Sequence, residues 1–301
     1  MSPETAMPGG SEGRMWPPRN AYPLGQESAP WPNGAKLAVY VAVGIEDYLL
    51  GGEFTEDILV GVPMPDLVNA SWRDYGLRVG AWKLLDRLDQ LGLPITVLLN
   101  TAVYDSAPSL MSRAREVGAE IVAHGEFNSH SLPSTSRSEE KAYLRKVAER
   151  IRREEGTPPL GWSSPWLIHT PHTLDLLAEC GYRYLLGLRF DDQPVWLETA
   201  HGRLLTIPYS AEINDSTSMI SRNVSATEFR DMIIDEFDEQ LAASNETPVV
   251  MSLILHSFIS GVPFRLRQVM SALGHLVKHR DSVWFARPRD IHEHLSRLDP
   301  R

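Results

Sequence analysis

A single cysteine, Cys180, stands among 301 residues, so no intrachain disulfide is available, and a reducing, cytoplasmic setting is expected. Cys180 reads as a small buried hydrophobe on a helix, ahead of a nucleophile. No apolar run approaches the roughly 20 residues that span a bilayer. The opening MSPETAMPGGSEGRMWPP lacks the cationic start and apolar centre of a secretory signal, so no membrane partner is expected. Basic side chains are the minority, 29 Lys and Arg against 39 Asp and Glu for a formal net charge of −10, which argues against nucleic acid as a partner. Internal repeats are also missing.

What the chain does have is the means to build a core: 43% hydrophobic and 23% charged residues, a globular balance. The expected organisation is a flexible N-terminal arm over 1–30 and a single barrel domain over 31–298. Residues 36–45 (KLAVYVAVGI) form a continuous apolar, β-branched run, the pattern of a strand buried on both faces. Residues 48–75 carry glycines and prolines without a period and read as a long loop. Residues 77–91 have helical spacing. Residues 95–99 (ITVLL) read as a second strand, and 120–123 (EIVA) as a third. Helices are expected near 107–117, 137–155, 171–180, 226–243 and 264–279, and a loop at 161–166. Further strands are expected at 182–188, 204–208, 249–255 and 283–286. Alternating strands and helices predict a parallel sheet, and acids, histidines and aromatics follow several of the strands. In β/α barrels such groups meet at one mouth, at the C-terminal strand ends.

Glu46 and Asp47 end the first strand, one carboxylate for proton transfer and one for metal or water, or both simply solvated loop acids. His124 and His130 in HGEFNSH offer imidazoles to a metal such as zinc. Their spacing is unusual, because on a helix His124 and Asn128 share a face, about 40° apart, while His130 points about 240° away. Hydrogen-bonded loop histidines are the competing account. His256 directly follows a buried strand, where an imidazole serves as general acid. Asp192, in DDQPVW, is placed to orient it. Trp162, Trp166 and Trp196 make an aromatic wall or belong to the core.

The succession IED, EIVAHGEFNSH, GWSSPW, DDQPVW and ILHSFISGVPFRLR resembles the NodB-homology polysaccharide deacetylases over about residues 31–295. It is most similar to their cytoplasmic branch of peptidoglycan deacetylase homologues, allantoinases and cyclic imide hydrolases. The resemblance implies an irregular (β/α) barrel of α/β class with long loops at the C-terminal strand ends. It also implies Glu46 as base, Asp47 and His124 as metal ligands, and His256 as acid, with Asp192 and Trp196 matching a further motif. The family's second metal histidine falls on Asn128, and its base-pairing arginine on Ser163. Asn214 and Asp215 match a segment near the pocket, as substrate contacts or an ordinary turn.

Two routes follow for a hydrolase of non-peptide C–N bonds. In one, Asp47 and His124 with Asn128 or His130 hold Zn²⁺ and a water of lowered pKa. In the other no metal is held, and Glu46 and His256 activate water directly. The expected substrate is a small amide, cyclic imide or ureide, or an amino sugar. The alternative is a catalytically reduced barrel that binds a carbohydrate or metabolite. A homo-oligomer is also expected, through Trp-rich loops and the apolar stripe of the 264–279 helix.

Overall fold

The computed structural model describes residues 31–52, 54–130, 136–244 and 247–299; the expected arm over 1–30 lies outside the described residues. The strands are β1 (Leu37–Ile45), β2 (Ile95–Leu99), β3 (Glu120–Ala123), β4 (Gly161–Ser163), β5 (Tyr184–Leu186), β6 (Val195–Thr199), β7 (Gly202–Ile207), β8 (Val249–His256) and β9 (Val283–Phe285). They form one sheet in the order β6-β7-β5-β4-β3-β2-β1-β8, with β9 also on β1. Every pairing is parallel except the β6–β7 hairpin. The protein thus has the α/β class and parallel sheet expected of it.

β8 runs beside Leu37–Gly44 of β1, while β9 takes the start of its other edge and β2 the end. After β7 the chain returns to β8 through the bridge Asn214↔Ile254 and a 2.8 Å bond from the Ser210 N–H to Ser252 Oγ. The two ends of the sheet therefore approach each other, and the sheet curls. Alternation along β1 sorts its side chains accordingly. Leu37, Val39, Val41, Val43 and Ile45 face the larger core, with Leu84, Leu85 and Leu88 of the helix Ala81–Gln90 and Phe229 and Phe237 of Ala226–Ala243. Ala38, Tyr40 and Ala42 turn to a smaller core with Tyr184, Leu205 and Ile254. Because the strands are parallel, Glu46, His124 and His256 all emerge at one edge of the sheet.

Helices Pro108–Glu116, Arg137–Glu155, Thr173–Glu179, Ala226–Ala243 and Pro263–Leu276 lie within a few residues of the expected ones. The loop expected over 48–75 is corrected in its second half, which is the helix Leu67–Tyr75. Asp66 caps it by accepting the Asn69 N–H at 3.0 Å. It continues through a π-turn at Gly76–Gly80 into Ala81–Gln90. Gly80 is there for proximity: a Cβ on it would lie 1.9 Å from the Ser257 carbonyl oxygen. The loop expected at 161–166 begins as β4. The strand β6 was not foreseen, being a half-exposed edge strand behind the turn residues DDQP. The Pro263–Leu276 helix buries Leu266, Val269, Met270, Leu273 and Leu276 in its own core, so its stripe does not form an exposed face. Exposed apolar side chains gather instead at Leu50, Leu59, Val60, Met64, Leu67 and Val68. Among the described residues no helix is long and apolar enough to cross a membrane.

Candidate active site

Glu46 leaves the end of β1 and is 2% exposed. Its Oε1 lies 3.3 Å from His124 Nε2 and 3.5 Å from His256 Nε2. Its Oε2 accepts from the Tyr48 hydroxyl at 2.9 Å and the Asn128 amide at 3.3 Å. The register Gly44↔His256 sets the histidine beside β1, and the missing side chain of Gly44 makes room for the meeting. A Cβ there would lie 2.8 Å from Glu46 Oε1 and 3.3 Å from His256 Cδ2. Burial works against a charge on Glu46, but the His256 and His124 imidazoles outweigh it and hold the carboxyl below its ordinary pKa.

His256 is fixed from behind by Asp215. Its backbone N–H donates to Asp215 Oδ2 at 2.8 Å, and its Nδ1 lies 2.6 Å from Oδ1, while the Ser260 hydroxyl donates to the same carboxylate. Nδ1–H therefore points at Asp215 and Nε2 toward Glu46. Burial alone would depress this imidazole, but Glu46 and Asp215 outweigh it and push the pKa up to about 10. At neutral pH the pair is a carboxylate facing an imidazolium. His124 is oriented by the Ser163 carbonyl, which accepts from Nδ1 at 2.8 Å.

These groups open onto a cavity of about 360 Å³, lined among others by Glu46, Glu56, His124, Asn128, Trp166 and His256. Trp166 adopts φ 58° and donates its Nε1–H to the Asn128 carbonyl at 2.7 Å. Glu56 comes from the segment after β1, where Arg73 donates to the Glu56 carbonyl at 2.6 Å and to Asp57 Oδ1 at 2.8 Å. The Arg73 guanidinium also lies 5.4 Å from the centre of the Tyr48 ring. Sequence reading missed Tyr48, Glu56 and Arg73. Only the adjacency of Tyr48 to the Glu46-Asp47 pair offered a signal.

Several expected residues lie elsewhere. Asp192 does not orient His256: its carbonyl accepts the Val250 N–H, six residues before His256 on β8, a rise of about 20 Å, and its carboxylate pairs with Arg189 at 2.6 Å. Asp215 takes that place, and so is a partner of His256 where a substrate contact was expected. Asn214 lines the cavity. Trp162 is fully buried, its Nε1–H donating to Ser164 Oγ at 2.9 Å and its ring 5.5 Å from that of Tyr182. It is a core residue. Trp196 lies under the Arg203 guanidinium at 4.4 Å and beside His292, away from the cavity.

The residues expected to hold zinc do not converge. Asp47 accepts from the Ser106 hydroxyl at 2.6 Å and does not line the cavity, and His130 packs edge-on against Phe127. Asn128 turns its amide hydrogens toward Glu46 and Tyr48, so its nitrogen side faces the base, while its Oδ1 is buried without a hydrogen-bond partner. Among the described residues no three of His, Cys, Asp or Glu are placed to hold a metal ion. The donor set does not fit the metal.

Residues 70–185 match the family model for polysaccharide deacetylase, a span that includes His124 and Asn128 but neither Glu46 nor His256. A protein of Schizosaccharomyces pombe classed as a polysaccharide deacetylase is 23% identical over 309 residues, 91% of this chain and 94% of that one. Among solved structures, the probable polysaccharide deacetylase of Pseudomonas aeruginosa PAO1 superposes with TM-score 0.79 at 25% identity, covering 90% of this chain and 94% of that one. Puue allantoinase superposes with TM-score 0.80 at 24% identity, with the same coverage.

Proposed function

Since the chain belongs to the NodB-like polysaccharide deacetylase superfamily and is a deacetylase-like C–N hydrolase, we propose that it hydrolyses a small amide, cyclic imide or ureide, with Glu46 as base and His256 as acid. The observation that carries this reading is the Glu46 carboxylate buried between two imidazoles, one of them held by Asp215. A cavity of about 360 Å³ is of the size that takes a compact ligand, which favours a small substrate.

In the resting protein the base is ionised and the acid carries its proton. Substrate and water entering between them weaken the pairing with His256. Burial, the largest influence on Glu46, then raises its proton affinity. Glu46 takes a proton from water as the oxygen attacks the carbonyl carbon, and His256 Nε2 gives its proton to the nitrogen as the C–N bond breaks. The proton on Glu46 Oε1 returns to His256 Nε2, 3.5 Å away, to reset the pair. No step runs through a divalent ion, because the donors described above do not fit one.

The test is turnover of acetamido sugars, allantoin and cyclic imides by the wild type, Glu46→Gln and His256→Ala, with and without chelator. Allantoin enters the panel on the fold likeness to an allantoinase. Each variant should lose about 10³-fold or more in kcat, and chelation should leave the wild-type rate unchanged. Variants that turn over at the wild-type rate would sink this reading. Loss of activity on chelation, restored by Zn²⁺, would sink its metal-free part.

A further inference from the structure

Hydrolysis by this route leaves negative charge on the carbonyl oxygen, and a water-poor site must meet it with hydrogen-bond donors. Several of the polar hydrogens around Glu46 and His256 are engaged inside the protein. The Tyr48 hydroxyl donates to Glu46, the Asn128 amide to Glu46 and Tyr48, and the Trp166 indole to the Asn128 carbonyl. His124 Nδ1–H is on Ser163, His256 Nδ1–H is on Asp215, and His256 Nε2–H is assigned to the leaving nitrogen.

Glu56 stands apart from these. It is 8% exposed and lines the cavity. Its Oε1 accepts from the Ser216 hydroxyl, whereas Oε2 is buried with no hydrogen-bond partner. An unpartnered buried carboxyl oxygen is costly unless something bound there completes it. Its position is built rather than incidental, because Arg73 clamps the backbone at Glu56 and the side chain of Asp57. We propose that Glu56 is a third catalytic group: as the neutral acid it donates a hydrogen bond from Oε2 to the substrate carbonyl oxygen as that oxygen gains charge. The proposal rests on the hydrolase reading above.

The surroundings favour the neutral acid. Burial is the largest influence and raises the pKa. His256 and the Ser216 hydroxyl oppose it, Glu46 and Asp215 reinforce it, and the result is a value of about 7. Arg73 is taken up by Asp57 on the same side, and Tyr48 adds no cation. With Ser216 donating to Oε1, the proton of the neutral acid belongs on Oε2.

The decisive comparison is Glu56→Gln against Glu56→Ala, with kcat/KM followed across pH and infrared spectra taken on either side of about pH 7. Gln keeps an acceptor for Ser216 and an N–H donor toward the cavity. Glu56→Gln should therefore stay within about 10-fold of wild type, while Glu56→Ala loses about 10²–10³-fold. The wild-type rate should fall as pH rises through about 7, where Glu56 gives up its proton, and Glu56→Gln should not show that fall. A group that only supported the loop would leave the pH profile unmoved. The wild type should also show a protonated-carboxyl band below that pH that Glu56→Gln lacks. An alkaline limb unchanged in Glu56→Gln, or no such band, overturns the role of Glu56 while leaving the hydrolase reading intact. No wild-type turnover across the panel overturns the hydrolase reading, and the catalytic role of Glu56 with it.

Discussion

Glu46, His124 and His256 reach the cavity from the ends of β1, β3 and β8, whereas Glu56 and Asn128 reach it from the connections after β1 and β3. The strand-borne set is held by ladders of backbone hydrogen bonds, with Gly44↔His256 as a register pair. The connecting set leans more on side chains, Arg73 on Glu56 and Asp57 and Trp166 on Asn128, beside isolated backbone bonds such as that from the Asn128 N–H to the Asp47 carbonyl at 2.8 Å. Groups on strands keep their separation as long as the sheet persists, while groups on connections depend on a few polar contacts. In the proposed mechanism, proton transfer falls to the rigid part and the hydrogen bond to the substrate carbonyl oxygen to the adjustable one.

Three substitutions test that division. The largest effect is expected from Asp215→Asn, which keeps the shape behind His256 but removes the charge. The His256 pKa should drop from about 10 toward the ordinary imidazole value in an NMR titration, and kcat should fall about 10²–10³-fold. Next comes Gly44→Ala. Its added methyl group meets Glu46 Oε1 at 2.8 Å, so the carboxylate must shift, and kcat should fall about 10²-fold with an unchanged circular dichroism spectrum. A Gly44→Ala protein of full activity would show that the strand-borne pair is less constrained than its packing implies. The smallest effect belongs to Arg73→Met. It should lower unfolding free energy in urea by about 1–3 kcal/mol and speed hydrogen exchange over residues 54–59 while sparing β1. Faster exchange in β1 as well would erase the distinction between the two regions.

The same division explains what the sequence disclosed. β1, β3 and β8 are largely apolar runs, buried along their length but for the half-buried His256, so their ends, and the residues just beyond, could be read directly. Asp192 and Asp215 are both acids beyond a strand, and choosing between them requires the level each reaches along β8, which chain order does not carry. Glu56 and Arg73 come together only because the helix Leu67–Tyr75 packs back over the segment before it. That segment has no hydrophobic period to reveal its path. Trp162 and Trp166, four residues apart, part company because β4 ends between them, and the turn at Trp166 sends one ring to the core and the other to the cavity.

The pairing of β1 with β8 also sets the order in which the site is assembled. β1 is made early and β8 late, so a growing chain carries Glu46 and His124 long before it has His256. Closing so long a loop is slow and entropically costly. Until it closes, one whole edge of β1, an apolar strand, has no partner. A nascent chain therefore spends most of its synthesis with an open strand edge and half of the proposed acid–base pair, which makes the late arrival of β8 both the completion of the sheet and the step that brings His256 to Glu46.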